Sequence, residues 1–323
     1  MIFAHEDPEF EALLQITATE RRLAVGLVEK DYWVTHTLWA LRDLGFDVRF
    51  KGGTSLSKGF GLIERFSEDL DLKIEPGTVR DLPVVSNWKG DGTKATLERR
   101  TYFERLPTLL QIPGAQISAD PDRDKTFRSA NFRVIYPGRH QRDLGVMKPY
   151  VLLEVGNARA TPSIERDMTS FVHDALAKRE QLAAYRDNRP RAVHCVHPLV
   201  TLLEKLEAIG RRFPNDHDEP AKFVRHFEDA ARTIDAMKEL PKLKDYEDVS
   251  GLVADMRAKK DLKASPRADD PAFAPRESQR WADIRTAHAE IAPMFWGPRI
   301  PLDNACAKIR DWITTSKLTP AGG

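Results

Sequence analysis

Two aspartates in an alternating segment are the residues whose type and spacing most clearly predict chemistry. The run from Asp69 to Ile74 alternates charged and aliphatic residues, which is typical of a half-buried strand. Because alternate side chains of a strand share a face, the carboxylates of Asp69 and Asp71 should project side by side. Adjacent carboxylates repel one another unless cations lie between them, and Mg²⁺ is the hard cation that oxygen ligands prefer. The segment therefore predicts a metal platform, with a solvent-facing strand as the simpler alternative.

A glycine pair precedes this strand in the segment KGGTSLSK, residues 51–58. Gly52 and Gly53 allow the backbone to approach a phosphate, and a helix that begins there offers free N–H donors. Thr54 or Ser55 can add a hydroxyl donor. A phosphate cradle beside a metal platform predicts a site for an NTP and two Mg²⁺ ions. Such ions, about 4 Å apart, activate an attacking hydroxyl and neutralise a pyrophosphate leaving group.

These two segments carry a resemblance to a known family. KGGTSLSK followed by RFSEDLDL (residues 65–72) resembles the nucleotidyltransferase signature of the AbiEii/AbiGii toxin family, which includes the MenT-like toxins. The resemblance extends, at a greater distance, to the polymerase-beta-like nucleotidyltransferase superfamily. Further matches lie in three segments, Glu29–Trp33, His197–Lys205 and Arg225–Asp229.

The resemblance implies roles for acidic and hydroxyl residues. Thr54 would hold an NTP phosphate, and Asp69 and Asp71 would bind the metal ions. Glu154, on a later predicted strand, would be the third carboxylate and a metal ligand. It would act as the general base or help the metal to deprotonate the acceptor hydroxyl. An exposed acid at a sheet edge is the alternative for Glu154.

Two residues of the later matching segments also receive roles from the resemblance. Lys205 would reach the triphosphate, unless it pairs with acids one turn away on its own helix. Asp229 would lie near the nucleotide on a following helix. Both are therefore candidate catalytic residues, whereas His226 is expected to be structural.

Lys51, Lys58 and Arg65 flank the signature, and two of these cations receive roles. Lys58 would touch a phosphate, although an ion pair with Glu64 or Asp69 is an equal alternative. Arg65 would contribute to nucleotide binding and orient Asp69 or Asp71, because crowded acids benefit from a fixed cation.

Hydrophobic periodicity predicts the elements that position these residues. The predicted helices cover residues 8–44 with a break near 17–20, then 56–66, 94–111, 169–185, 199–212, 221–239, 281–291 and 305–315. The predicted strands cover 47–50, 69–74, 132–136, 150–155 and 192–196, with an antiparallel pair formed by the third and fourth. In the opening helix, Trp33 should be a core residue, and Lys30 is a candidate to reach the site.

These elements predict an α/β (α+β) fold with a small mixed sheet flanked by helices. A nucleotidyltransferase core would cover residues 1–195, and a mostly helical C-terminal lobe would cover 196–323. We expect the lobe to contribute to the nucleotide cleft.

Composition predicts a cytoplasmic protein with no membrane partner. Of 323 residues, 41% are hydrophobic and 31% charged, and no apolar run approaches the roughly 18 residues of a membrane span. The first residues, MIFAHEDPEF, lack the order of a signal peptide. Cys195 and Cys306 have no CxxC spacing, so we expect ordinary packing thiols in a reducing compartment.

The acceptor is the least constrained part of the prediction. Formal net charge is +1, so any polyanion must bind local basic clusters rather than the whole surface. The clusters are Arg123, Lys125, Arg128, Arg133, Arg139 and Arg142, and then Arg189, Arg191, Arg211 and Arg212. They could hold RNA phosphates or be solvated surface balanced by acids.

The resemblance implies a toxin of a bacterial toxin–antitoxin or phage-defence system, with a cognate antitoxin. The toxin would transfer NMP to RNA, at the tRNA 3′ end, and release pyrophosphate. Transfer to a protein hydroxyl and NTP binding without turnover are the alternatives.

Overall fold

A computed structural model describes residues 1–67, 69–120, 126–140, 144, 147–215, 217–316 and 318. The described chain divides into two compact units. Unit 1 is formed from residues 1–59, 68–160 and 164–195, and unit 2 from 60–67, 161–163 and the described residues from 196 onward. None of the described helices is both long and apolar enough to cross a membrane.

A seven-stranded mixed sheet organises unit 1. Its strands are β1 (Asp47–Lys51), β2 (Asp69–Glu75), β3 (Gln116–Ala119), β4 (Ser129–Ile135), β5 (Val151–Gly156), β6 (Ser163–Arg166) and β7 (Val193–Val196). The strand order is β3-β4-β5-β2-β1-β7-β6. β2 therefore lies at the centre, antiparallel to β1 and parallel to β5. The α/β class predicted from the sequence is confirmed.

The alternation of β2 determines which side chains it buries. Leu70, Leu72 and Ile74 are buried, and Asp69 and Asp71 occupy the alternate, half-buried positions. The predicted antiparallel pair is confirmed as β4 and β5. Because β5 has β2 on one side and β4 on the other, it is an interior strand rather than an edge.

Helices of unit 1 surround this sheet. They are α1 (Phe10–Arg21), α2 (Val25–Asp43), the single turn α3 (Gly52–Thr54), α4 (Thr93–Leu109) and α5 (Phe171–Lys178). A π-helical segment, Ser55–Gly59, continues directly from α3. α2 is buried along most of its length, and Trp33 is a core residue as predicted.

The described part of unit 2 is built from helices. They are α6 (Pro198–Arg212), α7 (Arg225–Asp235), α8 (Val249–Ala258), α9 (Gln279–Glu290) and α10 (Leu302–Thr315). Their apolar faces share one core that includes Leu203, Phe227 and Trp281. Burial of Cys306 in this core, and of Cys195 in unit 1, raises the pKa of each thiol to about 12. Both cysteines are packing residues, as predicted.

Several predicted elements are wrong. The helix expected over 56–66 ends at Gly59, because the chain beyond it pairs with a distant segment: Phe66 donates its N–H to the carbonyl of Met294, and Arg65 bridges Phe295. The break in the opening helix lies at residues 22–24 rather than 17–20, and the helix predicted over 169–185 covers only Phe171–Lys178. β3, β6 and α8 were not delimited from the sequence, because the two strands are short and the helix has weak periodicity.

Candidate active site

Three carboxylates come together where β2 and β5 run side by side. Asp71 is the direct register partner of Glu154, and Asp69 lies two residues earlier on the same face of β2. Burial raises the pKa of Glu154 to about 8, and the negative charges of Asp71 and Asp69 and a hydrogen bond with Asp71 add to this effect. Because β5 is an interior strand and Glu154 is half-buried, the alternative of an exposed edge acid is wrong for Glu154.

The glycine turn lies directly against this carboxylate cluster. Gly52 has φ +76°, in the left-handed region, and a β-carbon built on it would lie 1.8 Å from Oδ2 of Asp71. Only glycine fits without displacing the carboxylate. The side chain of Asp71 thus points at the turn, as a phosphate cradle beside a metal platform requires.

A hydroxyl bond fixes the turn to the strand. Thr54 is buried, and its Oγ1 donates to the backbone carbonyl of Asp69 at 2.7 Å. Gly53 and Ser55, its neighbours, are buried as well. The contact holds α3 and β2 together, whereas phosphate binding by Thr54, Ser55 or Gly53 stays a prediction.

Lys58 forms an ion pair with an acid other than Glu64 or Asp69. Its Nζ lies 2.6 Å from Oδ1 of Asp31 and donates to the carbonyl of Thr169 at 3.1 Å. Asp31 also accepts the N–H of Phe171, the first residue of α5. The alternative of an ion pair between Lys58 and Glu64 or Asp69 is therefore wrong, and phosphate binding by Lys58 stays a prediction. Lys58 instead joins the end of the cradle to α2 and α5.

A cavity of about 350 Å³ opens beside the carboxylates. Its lining includes Lys51, Asp71, Asn131 and Glu154. Asn131 is the register partner of Glu154 on β4, so four adjacent strands, β4, β5, β2 and β1, supply polar groups to one space. A larger cavity of about 460 Å³ lies elsewhere in unit 1 and contains none of the predicted site residues in its lining.

Sequence reasoning missed two residues near the carboxylates. Lys148 Nζ lies 3.4 Å from Oδ1 of Asp69, yet it belongs to a turn-rich segment with no periodic signal. Asn131 is polar at an alternate position of β4, and the register of β4 against β5 would have identified it. Both omissions reflect pairings between distant parts of the sequence.

Unit 2 contains a second charged cluster around Asp229. Arg65 donates to both carboxylate oxygens of Asp229, at 2.7 and 2.6 Å, and Lys205 Nζ lies 2.7 Å from Oδ2. Burial alone would raise the pKa of Asp229, but the two cations outweigh it and hold that pKa far below its ordinary value. Burial lowers the pKa of Lys205.

These contacts change two predictions. The guanidinium of Arg65 binds Asp229 and the carbonyl of Phe66, so the predicted pairing of Arg65 with Asp69 or Asp71 is wrong. The acid paired with Lys205 is 24 residues away in sequence rather than one helical turn away. Roles of Arg65, Lys205 and Asp229 toward a nucleotide stay predictions.

The predicted basic clusters are largely paired with acids where they are described. Arg123, Lys125 and Arg142 lie outside the described residues. The described ion pairs are Arg128 with Asp91, Arg133 with Asp120, Arg189 with Asp187, Arg191 with Asp167, and Arg211 with Glu207. These pairs match the expectation of a charge-balanced surface, and RNA binding by them stays a prediction.

The carboxylate cluster suits a divalent cation by chemistry rather than by a ready-made cage. Among the described residues, no three His, Cys, Asp or Glu side chains already surround a common point as ligands. The oxygen donors of Asp69, Asp71 and Glu154 are nevertheless adjacent, and repulsion from the charges of Asp71 and Asp69 adds to burial, the larger cause, in raising the pKa of Glu154. A cation that offsets this repulsion, with substrate phosphates completing its shell, fits this donor set.

Comparisons with known proteins find a matching family and a similar solved structure. Residues 39–301 match the family described as nucleotidyl transferase AbiEii toxin, type IV toxin–antitoxin system. Among solved structures, the crystal structure of JHP933 from Helicobacter pylori is similar, with a TM-score of 0.44 and 13% identity over 89% of this chain and 91% of that chain. No curated protein matches the chain.

Proposed function

The chain belongs to the AbiEii family of nucleotidyl transferase toxins of type IV toxin–antitoxin systems, and we propose that it is a Mg²⁺-dependent toxin that transfers NMP from an NTP to RNA. The acceptor is the hydroxyl at the tRNA 3′ end. The observation that carries this proposal is the close approach of Gly52 to the side chain of Asp71. Asp71 on β2 is in turn the register partner of Glu154 on β5. This arrangement supports a proposed site for phosphate next to a proposed site for cations.

The reaction follows from charge and position. The acceptor oxygen attacks the α-phosphorus, a new P–O bond forms, and the bond to pyrophosphate breaks. Asp69, Asp71 and Glu154 would hold Mg²⁺, which supplies charge neutralisation for the transferred phosphoryl group and the leaving pyrophosphate. Glu154 would act as the general base for the acceptor hydroxyl, or would help the metal to deprotonate it. Gly52 and Gly53 would cradle the triphosphate.

A labelled-nucleotide assay tests both the reaction and the acceptor. Each α-³²P-labelled NTP would be incubated with Mg²⁺ and either total tRNA or a protein lysate. We expect label in the tRNA fraction and release of pyrophosphate, with a fall of about 10³-fold or more in Asp71→Asn, because a metal ligand is lost. Asp47→Asn is the matched control, since Asp47 lies on the neighbouring strand β1 and pairs with Arg49.

The alternatives appear as distinct outcomes of the same assay. Label in protein rather than tRNA would indicate NMP transfer to a protein hydroxyl. Tight NTP binding with no labelled product and no pyrophosphate would indicate a binding module without turnover. Equal activity of Asp71→Asn and the wild type would reject the proposed site. A type IV family membership also implies a cognate antitoxin, and we propose a cytoplasmic location for both proteins.

A further inference from the structure

A lysine outside the family signature lies against the carboxylate cluster. Lys148 Nζ is 3.4 Å from Oδ1 of Asp69, and the lysine side chain is 39% exposed whereas that of Asp69 is 18% exposed. Lys148 also opposes the rise in the pKa of Glu154, so its positive charge acts on more than one of the three acids. The ammonium group of Lys148 therefore already offsets part of the negative charge that a divalent cation would neutralise.

The backbone of Lys148 is anchored by a buried charge. Lys30 on α2 is fully buried, and its Nζ donates to the carbonyl of Lys148 at 2.6 Å. A buried ammonium is costly unless it is well bonded, so this bond holds residue 148 firmly relative to α2. The preceding residue, Glu29, is also buried and accepts the backbone N–H groups of Arg139 and His140 at 3.1 Å each.

Consecutive charges on α2 thus bind the backbone at three described residues. Glu29 accepts the N–H groups of residues 139 and 140, and Lys30 donates to the carbonyl of residue 148. The anchored backbone and the half-exposed head together suit a side chain that exchanges one partner for another.

The ion pair with Asp69 is of a kind that exchanges easily. Partly exposed pairs of this type contribute only about 0–1 kcal/mol, whereas Mg²⁺ carries twice the charge and prefers carboxylate oxygen. An ammonium displaced from Asp69 would remain within reach of the triphosphate, where it can form a charge-assisted hydrogen bond. Lys148 would then neutralise the carboxylate of Asp69 in the free protein and a phosphate oxygen in the nucleotide-bound protein.

We propose that Lys148 is a nucleotide-binding residue that pairs with Asp69 in the free protein and moves to a phosphate oxygen of the bound NTP. This inference rests on the proposed function, because it assumes that the carboxylates receive a magnesium-bound nucleotide. Lys148 releases Asp69 when the nucleotide enters and donates to its phosphate. Lys30 is a positioning residue that holds the backbone from which Lys148 acts.

Two binding titrations of Lys148→Ala test the exchange, because the proposal predicts opposite changes in them. Titration calorimetry with Mn²⁺ alone should show affinity about two- to fivefold tighter than in the wild type, since a competing exposed ion pair is gone. Titration with a non-hydrolysable NTP in saturating Mn²⁺ should show affinity about tenfold weaker or more, since a charge-assisted hydrogen bond is lost. Lys148→Arg, which keeps the charge, should restore most of the nucleotide affinity.

Lys73→Ala is the matched control. Lys73 lies on the same face of β2 as Asp69 and Asp71, and its Nζ pairs with Glu75 at 2.7 Å. Removing it changes the net charge by the same amount, and both affinities should stay near the wild-type values. Near-ultraviolet circular dichroism of each variant would verify that it is folded.

The outcomes separate this inference from the proposed function. If Lys148→Ala leaves both affinities unchanged, or weakens both, the exchange is rejected, while wild-type metal binding that Asp71→Asn abolishes would keep the proposed function. If the wild type binds no Mn²⁺ at the cluster, both proposals fail. Tighter metal binding combined with weaker nucleotide binding supports the exchange.

Discussion

At Gly52 the side chain of Asp71 occupies the space that a β-carbon would need. Gly52→Ala adds two costs, a left-handed φ of about 1–2 kcal/mol and a collision with the carboxylate. Because a misplacement of about 1 Å can cost about 100-fold in rate, we expect nucleotidyl transfer to fall by about 100-fold or more. Steady-state kinetics of transfer would measure this loss.

Gly61 offers a control that separates the two costs. Its φ of +64° is also left-handed, but a β-carbon there would meet nothing within 4 Å. Gly61→Ala should therefore lower the free energy of unfolding by the backbone cost alone and leave transfer nearly unchanged. Equal effects of the two substitutions on transfer would contradict the contact between the glycine turn and Asp71.

The raised pKa of Glu154 should make the free energy of unfolding depend on pH when divalent cations are absent. Its folded-state pKa of about 8 exceeds the ordinary value near 4.3, so the folded state binds the extra proton between these two pH values. The free energy of unfolding should therefore decrease as pH rises from about 5 to 8, with a slope of at most about 1.4 kcal/mol per pH unit. Urea denaturation in EDTA would measure it.

Glu154→Gln removes the titrating group and should flatten this slope. Added Mg²⁺ should flatten it as well in the wild type, because a cation stabilises the ionised carboxylates. A wild-type slope that the Gln variant retains would show that another group is responsible.

At the scale of elements, the Asp229 cluster joins three parts of unit 2. Asp229 lies on α7, Lys205 on α6, and Arg65 on the extended segment 60–67. The ion pairs of Asp229 with Arg65 and with Lys205 are both nearly fully buried. Asp229→Asn would leave two cations buried beside a neutral group, so we expect the free energy of unfolding to fall by about 3–5 kcal/mol. Chemical denaturation would show it.

Asp235 supplies the matched control on the same helix. It pairs with Lys308, and both side chains of that pair are more than 40% exposed. Asp235→Asn should cost at most about 1 kcal/mol. A similar loss in both variants would contradict the structural importance assigned to the buried cluster.

Local patterns were sufficient to predict the elements that carry the strongest periodicity. The alternation around Asp69 and Asp71 predicted β2 and the face that these acids share, and the Gly pair predicted the turn before it. The helix predicted over 56–66 was wrong because Phe66 and Arg65 pair with residues near 294, which no local pattern reveals. The partner of Arg65 lies 164 residues away in sequence, so its identity was equally inaccessible.

At the scale of the whole molecule, the family match spans residues of both units, whereas the three adjacent carboxylates all belong to unit 1. Non-local strand pairing, β2 with β5, assembles them. The central claim is that this cluster binds divalent cations beside a triphosphate held by the glycine turn. The positions of the bound cation and of the triphosphate relative to these residues test it directly.

The most direct test is a crystal of the protein soaked with Mn²⁺ and a non-hydrolysable NTP, with anomalous scattering used to locate manganese. We expect a manganese peak within about 2.5 Å of carboxylate oxygens of Asp69 and Asp71, and the triphosphate against Gly52 and Gly53. A nucleotide bound elsewhere, or manganese absent from these carboxylates while the nucleotide is bound, would contradict the account.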